Sequence, residues 1–200
     1  MLIRQLLKLY QGATLPALTI HFADYIAALG QHKRSPAAQD AALYWQEKFR
    51  RLPQGPQLEA NRDVNGLYLK YEHRLDCWPL LRKRIEHAGI SADALLISVY
   101  AFCLAKHCAL PAFTLVAPGW KRPPVHPQID ALVGDFTTLS WIDFNSQALT
   151  FIEQARRCDR IFTEDQQHSA ISGLQALRKV ATDKQHPRTL DFPVVFTRLN

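Results

Sequence analysis

The sequence predicts an α/β fold, because segments with helical periodicity alternate with separate strand-like segments. Apolar residues recur at three- and four-residue spacing over residues 1–10, 20–30, 36–51, 78–87, 92–108, 147–168 and 172–184. Strand patterns cover residues 67–75, 113–117, 133–144 and 192–197. The order of these strands in a sheet does not follow from the patterns.

Local signals support individual elements. Ser35 and Pro36 are suited to begin the third helix as N-cap and first helical residue. Alternating apolar residues over 67–75 favour a strand with one buried face. The helix over 92–108 is apolar nearly all round, so we expect it to be buried. Residues 192–197 are expected to form a buried strand.

The composition is typical of a folded protein with a hydrophobic core, since 48% of the residues are hydrophobic and 21% are charged. The longest apolar run, over 92–105, contains Asp93 and is shorter than the roughly 20 residues that cross a bilayer. The N-terminus lacks the apolar segment and cleavage site of a secretory signal. We therefore expect a cytoplasmic protein without membrane contact.

The net charge of +6 comes from scattered basic residues. No helix-turn-helix, zinc-finger or aromatic ribonucleoprotein signature accompanies them, so nucleic acid is not an expected partner. A solvated basic surface explains the charge. Attraction of an acidic carrier protein is the open alternative.

Cysteine and histidine spacing indicates no metal site. No pair among the four cysteines has C-x-x-C spacing, and reduced thiols are expected, with Cys103 partly in the core. His73 and His168 have no partner at the spacing of metal ligands or of a catalytic triad. The adjacent Tyr44 and Trp45 are expected to be core residues.

Two strings are the most specific features of the chain. Residues 134–139 read GDFTTL, and residues 193–197 read PVVFT. Supporting strings come earlier, at 9–12 (LYQG), 15–16 (LP), 22–25 (FADY), 44–45 (YW), 52–58 (LPQGPQL) and 91–96 (SADALL). His126 and Pro127 stand upstream of the GDFT string.

In this order the strings resemble the heterocyclization domains of nonribosomal peptide synthetases, relatives of condensation domains. The resemblance covers essentially the whole chain. It implies the C-terminal lobe of the chloramphenicol-acetyltransferase-like fold over residues 61–200. Residues 1–60 would be the helical linker that leads from the N-terminal lobe.

The chain also departs from the family pattern. Arg198 stands where serine is common after PVVFT, and Ser140 and Trp141 interrupt the usual aliphatic continuation of GDFTxL. The 200 residues contain no DxxxxDxxS string and no segment like SQTPQVxLD, which holds a second aspartate in the family. Intact members are enzymes. We expect this chain to have no catalytic activity on its own. It could be a truncated gene product or one subunit of a split synthetase.

The resemblance implies chemistry on thioesters that partner carrier domains hold through 4′-phosphopantetheine, with no cofactor bound directly. An amide forms first. The side chain of cysteine, serine or threonine then attacks it, and loss of water gives thiazoline or oxazoline. Expected partners are peptidyl or aryl carrier protein domains and an N-terminal lobe, from the same domain or a neighbouring subunit. Siderophore biosynthesis is a family-level expectation.

Ring closure requires that the amide oxygen be polarised and protonated. The resemblance carries over Thr197 of PVVFT as an orienting group or hydrogen-bond donor at the substrate tunnel. Asp135 and Thr137 are further candidate catalytic residues. For these two, the alternative is structural, with Asp135 at a turn and Thr137 paired across strands. His126 is expected to be structural.

Two other functions stay open. The chain could be a non-catalytic module that binds carrier proteins, or a remnant of an ordinary condensation-type acyltransferase. A GxFVNT-like string would mark the ordinary condensation class, and this sequence has GDFT instead.

Overall fold

A computed structural model of the chain describes residues 2–32, 35–58, 70–147, 149–182 and 190–197. The helices are α1 (Leu2–Tyr10), α2 (Phe22–His32), α3 (Pro36–Arg51), α4 (Trp78–His87), α5 (Ala92–Ala105), α6 (Phe151–Gln167) and α7 (Gly173–Ala181). The strands are β1 (Ala112–Trp120) and β2 (Thr137–Asn145), with a short 3₁₀ helix at Ile129–Ala131 between them. Each predicted helix is present, and the bounds differ by a few residues.

Side-chain caps set three of the helix starts. The Ser35 hydroxyl accepts a hydrogen bond from Ala38 N, and the Ser91 hydroxyl accepts one from Ala94 N. Thr150 and Glu153 form a reciprocal capping box, so α6 begins after Thr150 rather than at 147. These signals are local, which is why they are readable from the sequence.

The two strands pair antiparallel along their whole length, from Ala112 opposite Asn145 to Trp120 opposite Thr137. One face of the pair packs against α5 and α6, in a cluster that includes Phe113, Leu115 and Phe144. The other face meets α3 and α7 around Trp141, which contacts Trp45 and Phe49. Both faces of β1 are therefore buried.

The second edge of β1 is covered by two irregular segments. Thr114 N donates to Gln54 O, and Val116 N donates to Val194 O. Phe196 N donates to Val116 O at 2.8 Å, so residues 194–196 run parallel to β1. The LPQGPQL and PVVFT strings thus meet on one strand edge.

The two segments also contact each other at Gly55. Its N–H donates to Asp191 O at 2.8 Å. A Cβ built on Gly55 would lie 2.5 Å from Pro193 Cδ and 2.7 Å from Asp191 O. Only glycine leaves room for this approach.

Two strand predictions are wrong. Residues 70–75 form no strand and are exposed, while 67–69 lie outside the described residues. The alternating pattern there has no partner strand among the residues that the structure describes. Residues 192–197 make one bridge, between Val195 and Val116, and Val195 is 54% exposed. Pro118 ends this ladder because it has no N–H for the next bond.

Three further predictions need correction. β2 begins at Thr137 and not at 133, because Asp135 turns the chain there. α5 ends at Ala105, and its Val99 and Tyr100 are exposed, so this helix buries one face rather than its whole surface. Cys103 is exposed, and the thiol in the core is that of Cys158.

The apolar face of α1 is exposed along its length, with no buried residue in the helix. In the described part of the chain, no single helix is long and apolar enough to span a membrane. Taken together, α4 and α5 are long and apolar enough by length and composition, but a bend of 107° separates the two helices. The domain boundary predicted at residue 60 lies outside the described residues and stays a prediction.

Gly134 allows α2 to pack on the GDFT string. A Cβ at this position would lie 2.2 Å from Phe22 Cδ2 and 2.3 Å from Cε2. Phe22 in turn packs edge-on against Phe136, with ring centroids 5.8 Å apart. The glycine of the string is therefore a packing requirement.

We expect Gly134→Ala to lower the free energy of unfolding by about 1–3 kcal/mol, because the new methyl group displaces the Phe22 ring. Urea denaturation measures the loss. The matched control is Gly30→Ala in α2, where a Cβ meets nothing within 4 Å and the helix gains up to about 1 kcal/mol. Equal stabilities of the two variants would contradict the packing role.

Candidate functional site

A cavity of about 240 Å³ lies between α2, the GDFT string and the connection from α6 to α7. Its apolar wall includes Tyr25, Leu29, Trp45, Phe136, Leu139 and Ile171. Its polar lining includes Lys121, Asp135, Thr137, Thr138, Asp165, Ser169 and Gln175. Polar groups and aromatic walls in one concave site are typical of small-molecule binding.

Two of the three candidate catalytic residues line this cavity. Asp135 and Thr137 are both exposed at its rim. The Asp135 carboxylate accepts a hydrogen bond from Thr137 N at 2.9 Å, and hydrogen bonds from Thr137 lower the pKa of Asp135. Thr137 also pairs with Trp120 across the sheet. Asp135 and Thr137 therefore have the structural contacts of the alternative interpretation and also line the cavity.

Thr197 lies elsewhere, exposed at the far edge of the sheet. In the register set by Val195 and Val116, it is level with Pro118. Because β1 lies between this edge and β2, Thr197 and Thr137 are on opposite sides of β1. The structure brings Asp135 and Thr137 together and leaves Thr197 apart from them. A catalytic role for any of the three stays a prediction.

Two of the three histidines named from the sequence, His126 and His168, have structural contacts. His126 Nδ1 accepts a hydrogen bond from Gln128 N at 3.1 Å, within the loop between the strands. The His168 ring stacks on Tyr44, with centroids 3.9 Å apart. His73 is exposed in the 70–75 segment. Among the described residues, no group of three or more His, Cys, Asp or Glu side chains could hold a metal ion.

The sequence prediction missed a buried polar network beside the cavity. Asp165 Oδ1 accepts hydrogen bonds from the Tyr44 hydroxyl at 2.6 Å and from Lys48 Nζ at 2.5 Å. Trp45 packs next to them, and its Nε1–H donates to the carbonyls of His168 and Ile171. Trp45 is therefore a core residue, as expected, while Tyr44 belongs to the network.

Burial is the main cause of the pKa shifts of Lys48 and Tyr44 in this network. It lowers the pKa of Lys48, and the Asp165 carboxylate opposes that shift. Burial also raises the pKa of Tyr44, and the hydrogen bond to Asp165 raises it further. Tyr44 is thus a neutral donor throughout the physiological range.

A signal for this network exists in the sequence. Asp165 falls on the stripe of α6 that buries Gln154, Cys158 and Ile161. A carboxylate at such a position requires a partner in the core, because an unpaired buried charge is costly. The partner itself, Lys48, is 117 residues away and cannot be read from spacing.

Two basic residues fix the loops around the cavity. Lys121 Nζ donates to Gln166 O and to the Ser169 hydroxyl. The Arg122 guanidinium donates to the carbonyls of Ile129 and Leu132 and lies 4.1 Å from the Phe136 ring centroid. These bonds hold the strand connection against α6 and the 3₁₀ helix.

Comparisons with known proteins agree with this architecture. The family model described as "Condensation domain" matches residues 1–198. Pyochelin synthetase PchF of Pseudomonas aeruginosa is 33% identical over 190 residues, which are 92% of this chain and 10% of that protein. Phenyloxazoline synthase MbtB of Mycolicibacterium paratuberculosis is 31% identical over 203 residues, which are 98% of this chain and 17% of that protein.

Solved structures extend the likeness to three dimensions. A rhombohedral crystal form of the EpoB cyclization-docking bidomain from Sorangium cellulosum aligns with a TM-score of 0.77 and 29% identity. The alignment covers 96% of this chain and 40% of that one. The α/β fold prediction is confirmed, and the chain spans only part of its relatives.

We expect Lys48→Met to lower the free energy of unfolding by about 3–5 kcal/mol, because it leaves the Asp165 carboxylate buried without its cation. Urea denaturation at neutral pH measures the loss. The control is Arg51→Met, which removes an exposed i,i+4 ion pair with Glu47 on the same helix and should cost at most about 0.5 kcal/mol. A Lys48→Met loss no larger than that of the control would refute the pairing.

Proposed function

Because the chain belongs to the condensation domain family, we propose that it is the C-terminal part of a nonribosomal peptide synthetase heterocyclization domain. The observation that carries the proposal is the pair of strings GDFT at 134–137, which leads into β2, and PVVFT at 193–197, which lies along the opposite edge of β1. Relatives with "phenyloxazoline synthase" and "cyclization" in their names support it. The chain covers a minor share of those proteins, so the reaction belongs to a larger assembly.

The proposed reaction has two stages. The amine of a carrier-bound cysteine, serine or threonine attacks the carbonyl carbon of the donor thioester, which forms an amide and releases the phosphopantetheine thiol of the donor carrier. The side-chain thiol or hydroxyl then adds to the amide carbon, and the former carbonyl oxygen leaves as water. The second stage needs a hydrogen-bond donor at that oxygen, since hydroxide is a poor leaving group.

We assign that contact to Thr197. Thr197 is exposed beside the edge of β1, two residues after the bridge between Val195 and Val116. The backbone of the preceding residue is bonded to Val116, which limits how far the threonine moves. Asp135, with its lowered pKa, is an anion at neutral pH and is suited to orient a donor rather than to act as an acid.

The proposed partners are two carrier protein domains that present their substrates on 4′-phosphopantetheine, together with an N-terminal lobe. A net charge of +6 favours contact with acidic carriers through electrostatic steering. The relatives named pyochelin synthetase and phenyloxazoline synthase are compatible with a product that contains a thiazoline or oxazoline ring, and siderophore biosynthesis stays the family-level proposal.

Reconstitution tests the proposal. The chain is mixed with an N-terminal lobe that carries DxxxxDxxS, the downstream segment of a related domain and two loaded carriers. Mass spectrometry follows amide formation and the loss of water. We expect Thr197→Ala to form the amide but to slow ring closure by roughly 10²-fold or more, the usual effect of losing one donor to a developing oxyanion.

Thr182→Ala is the control, because Thr182 is exposed and its hydroxyl donates to the carbonyls of Arg178 and Lys179 in its own helix. Ring closure at an unchanged rate in Thr197→Ala would refute the role of Thr197. Carrier binding without either product would favour the non-catalytic module, and amide without a ring in the unmodified chain would favour an ordinary condensation domain.

A further inference from the structure

The apolar face of α1 is a surface that the described part of the chain leaves uncovered. The helix spans Leu2–Tyr10 and contains no buried residue. The turn after it is bonded locally, since Gln11, Gly12 and Ala13 donate back to carbonyls of the helix. An isolated helix of nine residues is marginal in water, where roughly 12–15 residues are needed. Packing against another surface is therefore required to hold α1 in its helical form.

Six apolar side chains form one continuous stripe along α1. At about 3.6 residues per turn, they cover less than half of the circumference of the helix. All six are more than half exposed: Leu2, Ile3, Leu6, Leu7, Leu9 and Tyr10. Counted from Ile3, apolar side chains recur after three, four and seven residues. This is the anchor spacing of a helix that docks into an apolar groove of a protein.

The charges of α1 indicate which kind of surface covers the stripe. Arg4 and Lys8 are its charged side chains, and the first acidic residue of the chain is Asp24. Two copies of α1 packed together would bring four cations close to one another with no acidic residue of either helix to compensate. The stripe and the cations together are suited to a groove with an apolar floor and an acidic rim.

The proposed function requires one protein that meets this chain directly, which is the N-terminal lobe. The alignment with the EpoB bidomain covers 40% of that chain, so most of the larger assembly lies outside the part matched here. By the family resemblance, α1 belongs to the segment 1–60 that leads from this lobe. The lobe is thus the neighbour of α1 along the chain of an intact domain.

We propose that α1 docks into an apolar groove with an acidic rim on the N-terminal lobe and holds the two parts of the domain together. This docking rests on the proposed function. The stripe packs on the floor of the groove, and Arg4 and Lys8 pair with its rim. Because the stripe is exposed in the free chain, substitutions there weaken docking without unfolding the chain.

Leu6→Gln/Leu7→Gln tests the stripe, because glutamine has nearly the helix propensity of leucine and removes its apolar surface. Titration calorimetry measures binding to the purified N-terminal lobe of the reconstitution mixture, without carriers or substrate. We expect the double variant to bind roughly a hundredfold or more weakly, since two leucines no longer leave water on docking. Its urea midpoint should be unchanged. Leu43→Gln on α3, where the leucine is 65% exposed, is the control and should bind normally.

Arg4→Gln/Lys8→Gln tests the acidic rim. We expect the affinity of the unmodified chain for the lobe to fall as sodium chloride is added, because salt screens exposed charges. The double variant should lose most of this salt dependence. Lys83→Gln, an exposed change on α4, is the matched control and should retain it. The same salt dependence in Arg4→Gln/Lys8→Gln and in the unmodified chain would contradict the pairing with the rim.

Other occupants of the stripe give different results. A dimer of the unmodified chain in sedimentation, lost in Leu6→Gln/Leu7→Gln, would assign the stripe to a second copy and overturn the proposal. Flotation with phosphatidylglycerol vesicles, lost in the same variant, would assign it to a membrane and overturn it too. Equal affinity of the lobe for this variant and the unmodified chain, or binding of neither, would also overturn it.

The docking and the proposed reaction fail separately. Ring formation by a mixture in which Leu6→Gln/Leu7→Gln binds the lobe normally would overturn the docking of α1 and leave the proposed function intact. Binding that this variant abolishes, with no ring formed by the unmodified chain, would affect the proposed function only.

Discussion

The double-edged hydrogen bonding of β1 is the constraint on which the rest of the structure depends. Its residues alternate between bonds to β2 on one edge and bonds to Gln54, Val194 and Phe196 on the other. Because both faces of the strand are also buried, every unpaired backbone group there would be costly. This strand positions the helices on its two faces. It also positions the LPQGPQL and PVVFT segments on one edge and, through β2, the GDFT string.

Glycines let the elements come close to it. Gly55 admits Pro193, Gly134 admits the ring of Phe22, and Gly173 admits Trp141. In each case a single methyl group would occupy space that a neighbouring side chain fills. Two of these glycines lie in strings that mark the family, which gives those strings a steric explanation independent of catalysis.

The helices were predictable because their signals are local. Ser35 caps α3 as predicted, and the caps of Ser91 and Thr150, the second of which moves the start of α6 from the predicted 147, are equally local. Strand patterns predicted the sheet less well. The alternation at 70–75 and the apolar run at 192–197 are both patterns that paired strands also show. Whether such a segment joins a sheet depends on a partner that sequence spacing does not supply.

The candidate site was also predicted only in part from the sequence. The strings located Asp135, Thr137 and Thr197 along the chain, but their separation into a cavity pair and a distant edge residue comes from the register of β1 with its two neighbours. Asp165 falls on the buried stripe of its helix, but its partner Lys48 is 117 residues away and no local signal marks it. Their pairing arises from packing α3 against the end of α6.

Amide hydrogen exchange on the intact chain tests the central role of β1 most directly. We expect the amides of Thr114, Val116 and Phe196 to exchange as slowly as those of Leu115 and Ile142, because all of them open only when the sheet does. The amide of the exposed Tyr71 should exchange rapidly in the same experiment. Rapid exchange at Val116 and Phe196, with β1–β2 amides still protected, would show that the PVVFT segment is not bound to the strand and would contradict the account.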